Sequence, residues 1–251
     1  MAIFMRNKPK VEVALDIEAL AAKCVEYFIA DAKTALSEKD VFYVAVSGGQ
    51  TPKRFFELLS EEPNAKALPW EKIHLFWVDE RIVEPDSKWS NYKLALDGFL
   101  EKVDIPNQNI HRIPTEYSDF KVAAKCYEET IKQVFNLKPG QLPQFDLVVL
   151  GMAREGHTGS LLPNSYATFD TEDLACVVYV MDEKLNRITL THPVLSAATH
   201  LIVLVSGEEK ADILKEVLSS EPDEIQYPIH VLWPVLHKVT WLVDKQAAGK
   251  L

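Results

Sequence analysis

Hydrophobic positions along the chain follow two periods. Between Asp16 and Leu36 the apolar residues Ile17, Leu20, Cys24, Phe28 and Leu36 recur at helical spacing near one face. That stretch reads as an amphipathic helix with Asp16 as its N-cap and Glu18 in its first turn. Elsewhere the apolar residues come in short unbroken runs: VFYVAV (41–46), IHLFWV (73–78), FDLVVL (145–150), HLIVLV (200–205) and VTWLV (239–243), each stopped by turn or polar residues. Unbroken runs suit strands covered on both faces, as in a parallel sheet. Helical patterns at about 52–60, 90–101, 118–135 and 208–218 lie between them. This alternation predicts an α/β fold, a doubly wound and mostly parallel sheet with helices on both faces. The segment LKPGQLPQ (137–144) has linker composition, but a buried strand comes directly after it, so residues 1–251 are read as a single domain whose α/β pattern begins by residue 11. No internal repeat or low-complexity segment interrupts it.

Ligands of open α/β sheets collect beyond the carboxyl ends of the strands. The segments there are SGGQTP (47–52), DER (79–81), GMAREGHTGSLLP (151–163) and SGEEK (206–210), which such a topology brings to one rim. The first supports two chemistries. Ala45-Val46-Ser47-Gly48-Gly49 passes as a nucleophile elbow with alanine for the first glycine, exposing the Ser47 hydroxyl. Alternatively, Gly48 and Gly49 make a turn, Pro52 opens a helix, and the free N–H groups of its first turn, with the Ser47 and Thr51 hydroxyls, hold one phosphate monoester. A nucleoside triphosphate loop is not implied, because Gln50-Thr51-Pro52 replaces its Gly-Lys-Ser/Thr. The local sequence leaves both chemistries standing.

Composition narrows the ligand. The chain is 47% hydrophobic and 25% charged, an ordinary globular balance, and its net charge of −10 comes from 27 basic against 37 acidic residues. With no basic block, an extended nucleic-acid or anionic-membrane footprint is disfavoured, so an anionic ligand needs a local cation cluster. Arg81, Arg187 and Lys210 are the candidates, although each taken singly reads as a surface charge. Asp79, Glu80 and Arg81 in isolation read as a solvated strand end, but an Asp and an Arg two apart on a strand point to the same side. His157 lies between glycines in EGHTGS. A neutral imidazole with a pKa near about 6.5 suits a general base, and Glu155 or Asp79 would fix its tautomer. The other six histidines have weaker surroundings. Cys24, Cys126 and Cys176 are far apart without a C-x-x-C spacing, so they read as buried cytosolic thiols and not as a disulfide framework or zinc site. The apolar run of five residues at the N-terminus is too short for a signal peptide, and no stretch approaches a membrane span. A soluble cytoplasmic protein is the expectation.

Four ordered segments, SGGQTPKRFFELL (47–59), WVDERIVEPDSKWSN (77–91), DLVVLGMAREGHTGSLLP (146–163) and RITLTHPVL…LVSGEEK (187–210), resemble the 6-phosphogluconolactonase family, and the likeness runs to VTWLVDKQAA (239–248). The resemblance implies a doubly wound, Rossmann-like α/β fold. It also implies a hydrolase that opens 6-phospho-D-glucono-1,5-lactone to 6-phosphogluconate, the second step of the oxidative pentose phosphate pathway, without metal or organic cofactor. By resemblance, His157 is the catalytic base, Asp79 and Arg81 the acid-arginine pair, and Ser47, Gly48, Gly49 and Thr51 the phosphate loop. Arg187 and Lys210 then meet the substrate, while Glu155, Gly156 and Thr158 support His157. On this assignment Ser47 binds phosphate and is not acylated. Ala153, Glu155, Gly159 and Leu162 depart mildly from the family pattern, which has Gly, Asp, Ala and Phe there. The fold is also similar to that of glucosamine-6-phosphate deaminase, but that enzyme needs a carboxylate five residues after the histidine, where this chain has Leu162, and has DEY where this chain has DER. Sugar-phosphate-binding effector domains of transcription regulators resemble the fold too, yet no basic helix-turn-helix candidate is present.

Overall fold

All five unbroken apolar runs become neighbours in one parallel sheet. The computed structural model describes residues 8–181 and 185–251; the apolar run at residues 1–5 lies outside them. The seven strands lie in the order β1 (Lys10–Ala14), β10 (Val239–Asp244), β9 (His200–Val205), β6 (Leu147–Gly151), β2 (Phe42–Val46), β3 (Ile73–Trp77), β5 (Ile110–His111). Every pairing is parallel.

Successive residues of a strand face opposite sides, and β2 shows why its run is unbroken. Phe42 meets Phe28 of α1 (Ile17–Glu38) edge to face at 5.4 Å, whereas Tyr43 meets Phe135, just past α4 (Phe120–Val134), at 4.2 Å. Helices α2 (Gln50–Ser60) and α3 (Asn91–Gly98) join the α1 side, through Phe55 on Phe28 and Tyr92 on Trp77. Phe28, Phe42, Phe55 and Trp77 are almost wholly shielded from solvent. At roughly 2–3 kcal/mol for each such side chain, this burial holds α1 and α2 onto the sheet. Asp16 caps α1 as expected, accepting from the Ala19 N–H at 2.9 Å. Ile17, expected on the buried face, is instead 36% exposed in the first turn.

Three details differ from the pattern. The helix expected from residue 52 begins at Gln50, so Pro52 is its third residue, where a missing N–H still costs no helical bond. After α5 (His192–Ala197), the segment from 208 opens with a 3₁₀ turn, Glu208–Lys210, before α6 (Ala211–Ser219). A second sheet, antiparallel β4 (Asp79–Arg81), β8 (Arg187–Leu190) and β7 (Ala175–Val178), has no counterpart in the sequence expectation. Three or four residues are too few to establish a period. The chain therefore treats Asp79 and Arg81 not as the frayed end of β3 but as a strand of their own. No helix among the described residues is long and apolar enough to cross a membrane.

From β2 the chain winds outward through β3 to β5, then returns to the other side of β2 as β6 and winds outward again through β9 and β10. The order reverses between β2 and β6, the place where open α/β sheets leave a crevice.

Candidate active site

Two of the four predicted segments leave the sheet at that reversal. Ser47 continues the ladder, its N–H donating to the Val149 carbonyl at 2.8 Å, and the chain then turns through Gly48 and Gly49 into α2. Each glycine is needed for a different reason. A Cβ at Gly48 would overlap the Asn91 carboxamide, whereas Gly49 has open space but a φ of 107°. No side chain caps α2, so the N–H groups of its first turn lack helical partners and carry the positive end of the helix dipole. Ser47 Oγ is buried without a hydrogen-bond partner. The hydrogen bonds of a Ser-His-Asp triad are thus not formed at Ser47.

The small sheet supplies the opposite wall. In the β4–β8 register Asp79 lies across from Thr189 and Arg81 across from Arg187, so these four side chains share one face. Two guanidinium groups directly opposed repel, a defect unless an anion sits between them. Asp79 is 4% exposed and accepts from Ser160 Oγ at 2.7 Å, while Arg187 Nη1 donates to the same hydroxyl at 3.3 Å. Burial pulls the Arg187 pKa below its ordinary value, as it does for Lys210 at the foot of α6. Among the described residues, no carboxylate pairs with Arg81, Arg187 or Lys210.

His157 stands on the loop after β6. Thr158 Oγ1 donates to the Gly151 carbonyl at 2.9 Å and the Ala153 N–H to the His157 carbonyl at 2.9 Å, closing the loop on its own strand. Gly156 and Gly159 take φ of 71° and 54°, so the glycine at 159 suits its backbone better than the usual alanine. The imidazole Nδ1 is buried and unpartnered, 3.5 Å from Glu155 Oε2. Of the two carboxylates considered for fixing its tautomer, Glu155 is therefore the one beside the ring, and Asp79 turns to Ser160. Burial lowers the His157 pKa; Glu155 opposes this, and Arg187 adds to it. Leu162 packs against the hydrophobic core, leaving no carboxylate five residues after His157.

One pocket gathers Ser47, Gly48, Gly49, Thr51, Asp79, Arg81, His157, Arg187 and Lys210. Glu155, Gly156 and Thr158 do not line it: Gly156 and Thr158 are buried, whereas Glu155 is exposed and lines the adjoining cavity, which shares Gln50, Thr51 and Lys210 with this pocket. Gln50 and Asn91 also line it, and sequence reasoning missed both, together with Ser160 and Glu80. The solvated reading of DER fails at Glu80, which is 3% exposed and accepts from Ser90 Oγ and three backbone N–H groups. A signal existed for Asn91: Ser90 is a good N-cap, and the first residue after a cap stands next to the loop that leads into the helix. Among the described residues there is no grouping of three or more His, Cys, Asp or Glu side chains able to cage a metal.

Residues 15–241 match the family described as glucosamine-6-phosphate isomerases/6-phosphogluconolactonase. A 6-phosphogluconolactonase of Nostoc sp. is 38% identical over 97% of this chain and 99% of its own length. The solved 6-phosphogluconolactonase of Trypanosoma cruzi superposes with a TM-score of 0.87 at 26% identity, covering 100% of this chain and 99% of that one. A monomeric glucosamine-6-phosphate deaminase reaches a TM-score of 0.81 at 19% identity over 96% of this chain and 100% of its own, which speaks to fold alone.

Proposed function

The chain belongs to the glucosamine-6-phosphate isomerase/6-phosphogluconolactonase family, and from that premise we propose that it hydrolyses 6-phospho-D-glucono-1,5-lactone to 6-phosphogluconate in the oxidative pentose phosphate pathway. The observation that carries this reading is one pocket in which the imidazole of His157, its Nδ1 buried, shares the wall with an uncapped helix start and with Arg81, Arg187 and Lys210, none of which pairs with a carboxylate among the described residues. A cation cluster on a protein of charge −10 suits an anionic substrate such as a phosphorylated sugar. The phosphate takes the first turn of α2 with Ser47 and Thr51, and Lys210 supplies a counter-charge.

Water then attacks C1. Glu155 beside Nδ1 favours the proton there, which leaves Nε2 of His157 to accept the proton of the attacking water as its oxygen bonds to carbon. Arg81 and nearby loop N–H groups hold the negative charge that develops on the carbonyl oxygen. When the bond from C1 to the ring oxygen breaks, His157 returns its proton to that oxygen. The product acid ionises and releases one proton to solvent, so turnover can be followed by base consumption. Asp79, fixed by Ser160, orients the substrate. Leu162, packed against the core where the deaminase needs a carboxylate, speaks against sugar-ring opening and hence against deamination.

The test is proton release from freshly made lactone, corrected for the enzyme-free rate, beside ammonia release from glucosamine 6-phosphate. Acceleration of the first alone is expected. Ammonia release without lactone hydrolysis would reverse the assignment, and binding of sugar phosphates without either reaction would make the chain an effector domain.

A further inference from the structure

Asn91 closes the segment WVDERIVEPDSKWSN, but the sequence assigns it no role; in the fold it touches Asp79, Arg81 and Gly48. It is 1% exposed and is the first residue of α3. Its Nδ2 donates to the Asp79 carbonyl at 2.8 Å, its Oδ1 accepts from Arg81 Nη1, and its carboxamide fills the space that glycine leaves at 48. The second acceptor of the Arg81 side chain is the Trp89 carbonyl at 3.5 Å. Both acceptors are neutral, although a carboxylate lies next door on Glu80. That carboxylate is turned away onto the Ser90 hydroxyl and the N–H groups of Arg81, Asn91 and Tyr92, at 2.7–2.9 Å, and so fixes the start of α3.

We infer that Asn91 is a positioning residue that holds the Arg81 guanidinium at the pocket wall while leaving its charge unspent for the substrate. An aspartate would occupy the same volume, but it would pair with Arg81 and meet the Asp79 carbonyl oxygen with a second oxygen. Only the amide supplies an acceptor for the guanidinium and a donor for the carbonyl at no net charge. This inference rests on the proposed role of Arg81 in lactone hydrolysis.

The test is a double-mutant cycle in the intact protein with Arg81→Ala and Asn91→Asp, measuring kcat and KM on the phosphorylated lactone. Asn91→Asp should lose at least about tenfold in kcat/KM, and the same change in the Arg81→Ala background less than about twofold, because the partner is already gone. The deficit should also shrink at acid pH, where the introduced carboxylate is protonated and Arg81 is released. If Asn91→Asp does not fold, Asn91→Ala should show a smaller loss with the same non-additivity. Wild-type activity in Asn91→Asp, or an equal loss in both backgrounds, would overturn the role of Asn91. Wild-type activity in Arg81→Ala would instead overturn the reading of Arg81 from which the inference starts.

Discussion

His157 shows what a residue's surroundings add to its type. Its place between glycines in EGHTGS makes it legible as a base, with an acid limb near about 6.5 or above it if a carboxylate supports the imidazolium. The fold reverses that direction. Burial is the largest influence and lowers the pKa, Glu155 raises it, and Arg187 lowers it again, with a net lowering. An imidazole kept neutral further into the acid range remains able to take a proton from water there. The acid limb of kcat/KM should therefore fall below about 6.5, and Glu155→Gln should move it lower still. His157→Gln should lose about 10² to 10⁴ in kcat with thermal stability nearly unchanged. Each rate is read after subtracting spontaneous hydrolysis at that pH. A His157→Gln enzyme with near wild-type kcat and an unmoved acid limb would remove His157 as the base.

At the scale of elements, the start of α2 separates two glycines that look alike in the sequence. Gly49, with φ 107° and ψ −179°, needs a backbone that other residues adopt only with strain, but nothing lies near a Cβ placed there, so Gly49→Ala should cost about 1–3 kcal/mol of stability. Gly48 needs space. Gly48→Ala would push the Asn91 carboxamide off Arg81, so it should cost activity out of proportion to its effect on melting temperature. Kinetics and thermal melts of the two variants distinguish these outcomes, and equal activity losses would contradict the assignment. The same contrast explains what was legible. Strands β2, β3, β6, β9 and β10 announce themselves because both faces are covered, and Asp16 announces α1 through its side-chain cap. The helix pattern failed at Ile17, which is left 36% exposed at the edge of a cavity beside the start of α2. The antiparallel sheet stayed hidden because DER and RITL are too short to show alternation, and its β4–β8 pairing joins residues about a hundred positions apart. Asn91, Ser160 and Glu80 were missed for that reason, since their importance lies in partners that only the fold supplies.

For the whole molecule, the half-buried pair His74 and His111 sets how stability answers to acid. His111 on β5 stacks on Phe76 at 4.4 Å and shares a 3.0 Å contact between its Nε2 and Nδ1 of His74, so one ring donates a proton and the other accepts it. A further proton on the accepting nitrogen would set two N–H groups against each other. Burial, with the neighbouring His74, pushes the His111 pKa down to about 4, and burial lowers His74 as well. An unfolded chain would protonate these rings near about 6.5. Between the two values the unfolded state binds more protons, so stability rises with pH there; the contribution is complete above about 6.5 and is lost as pH falls toward about 4. The carboxylates held by cations, such as Glu18 beside Arg54 and Glu116 beside Arg112, have lowered pKa values and lose their contribution only further into acid. The histidine window is therefore separable. Melting temperature measured from pH 7 to pH 4 should fall continuously through that window, and His111→Gln, which keeps an acceptor for His74, should flatten the slope by up to one proton. A slope unchanged by His111→Gln would mean that the ring is protonated in the folded protein. The lost acid stability would then have to come from the carboxylates instead, beginning at lower pH.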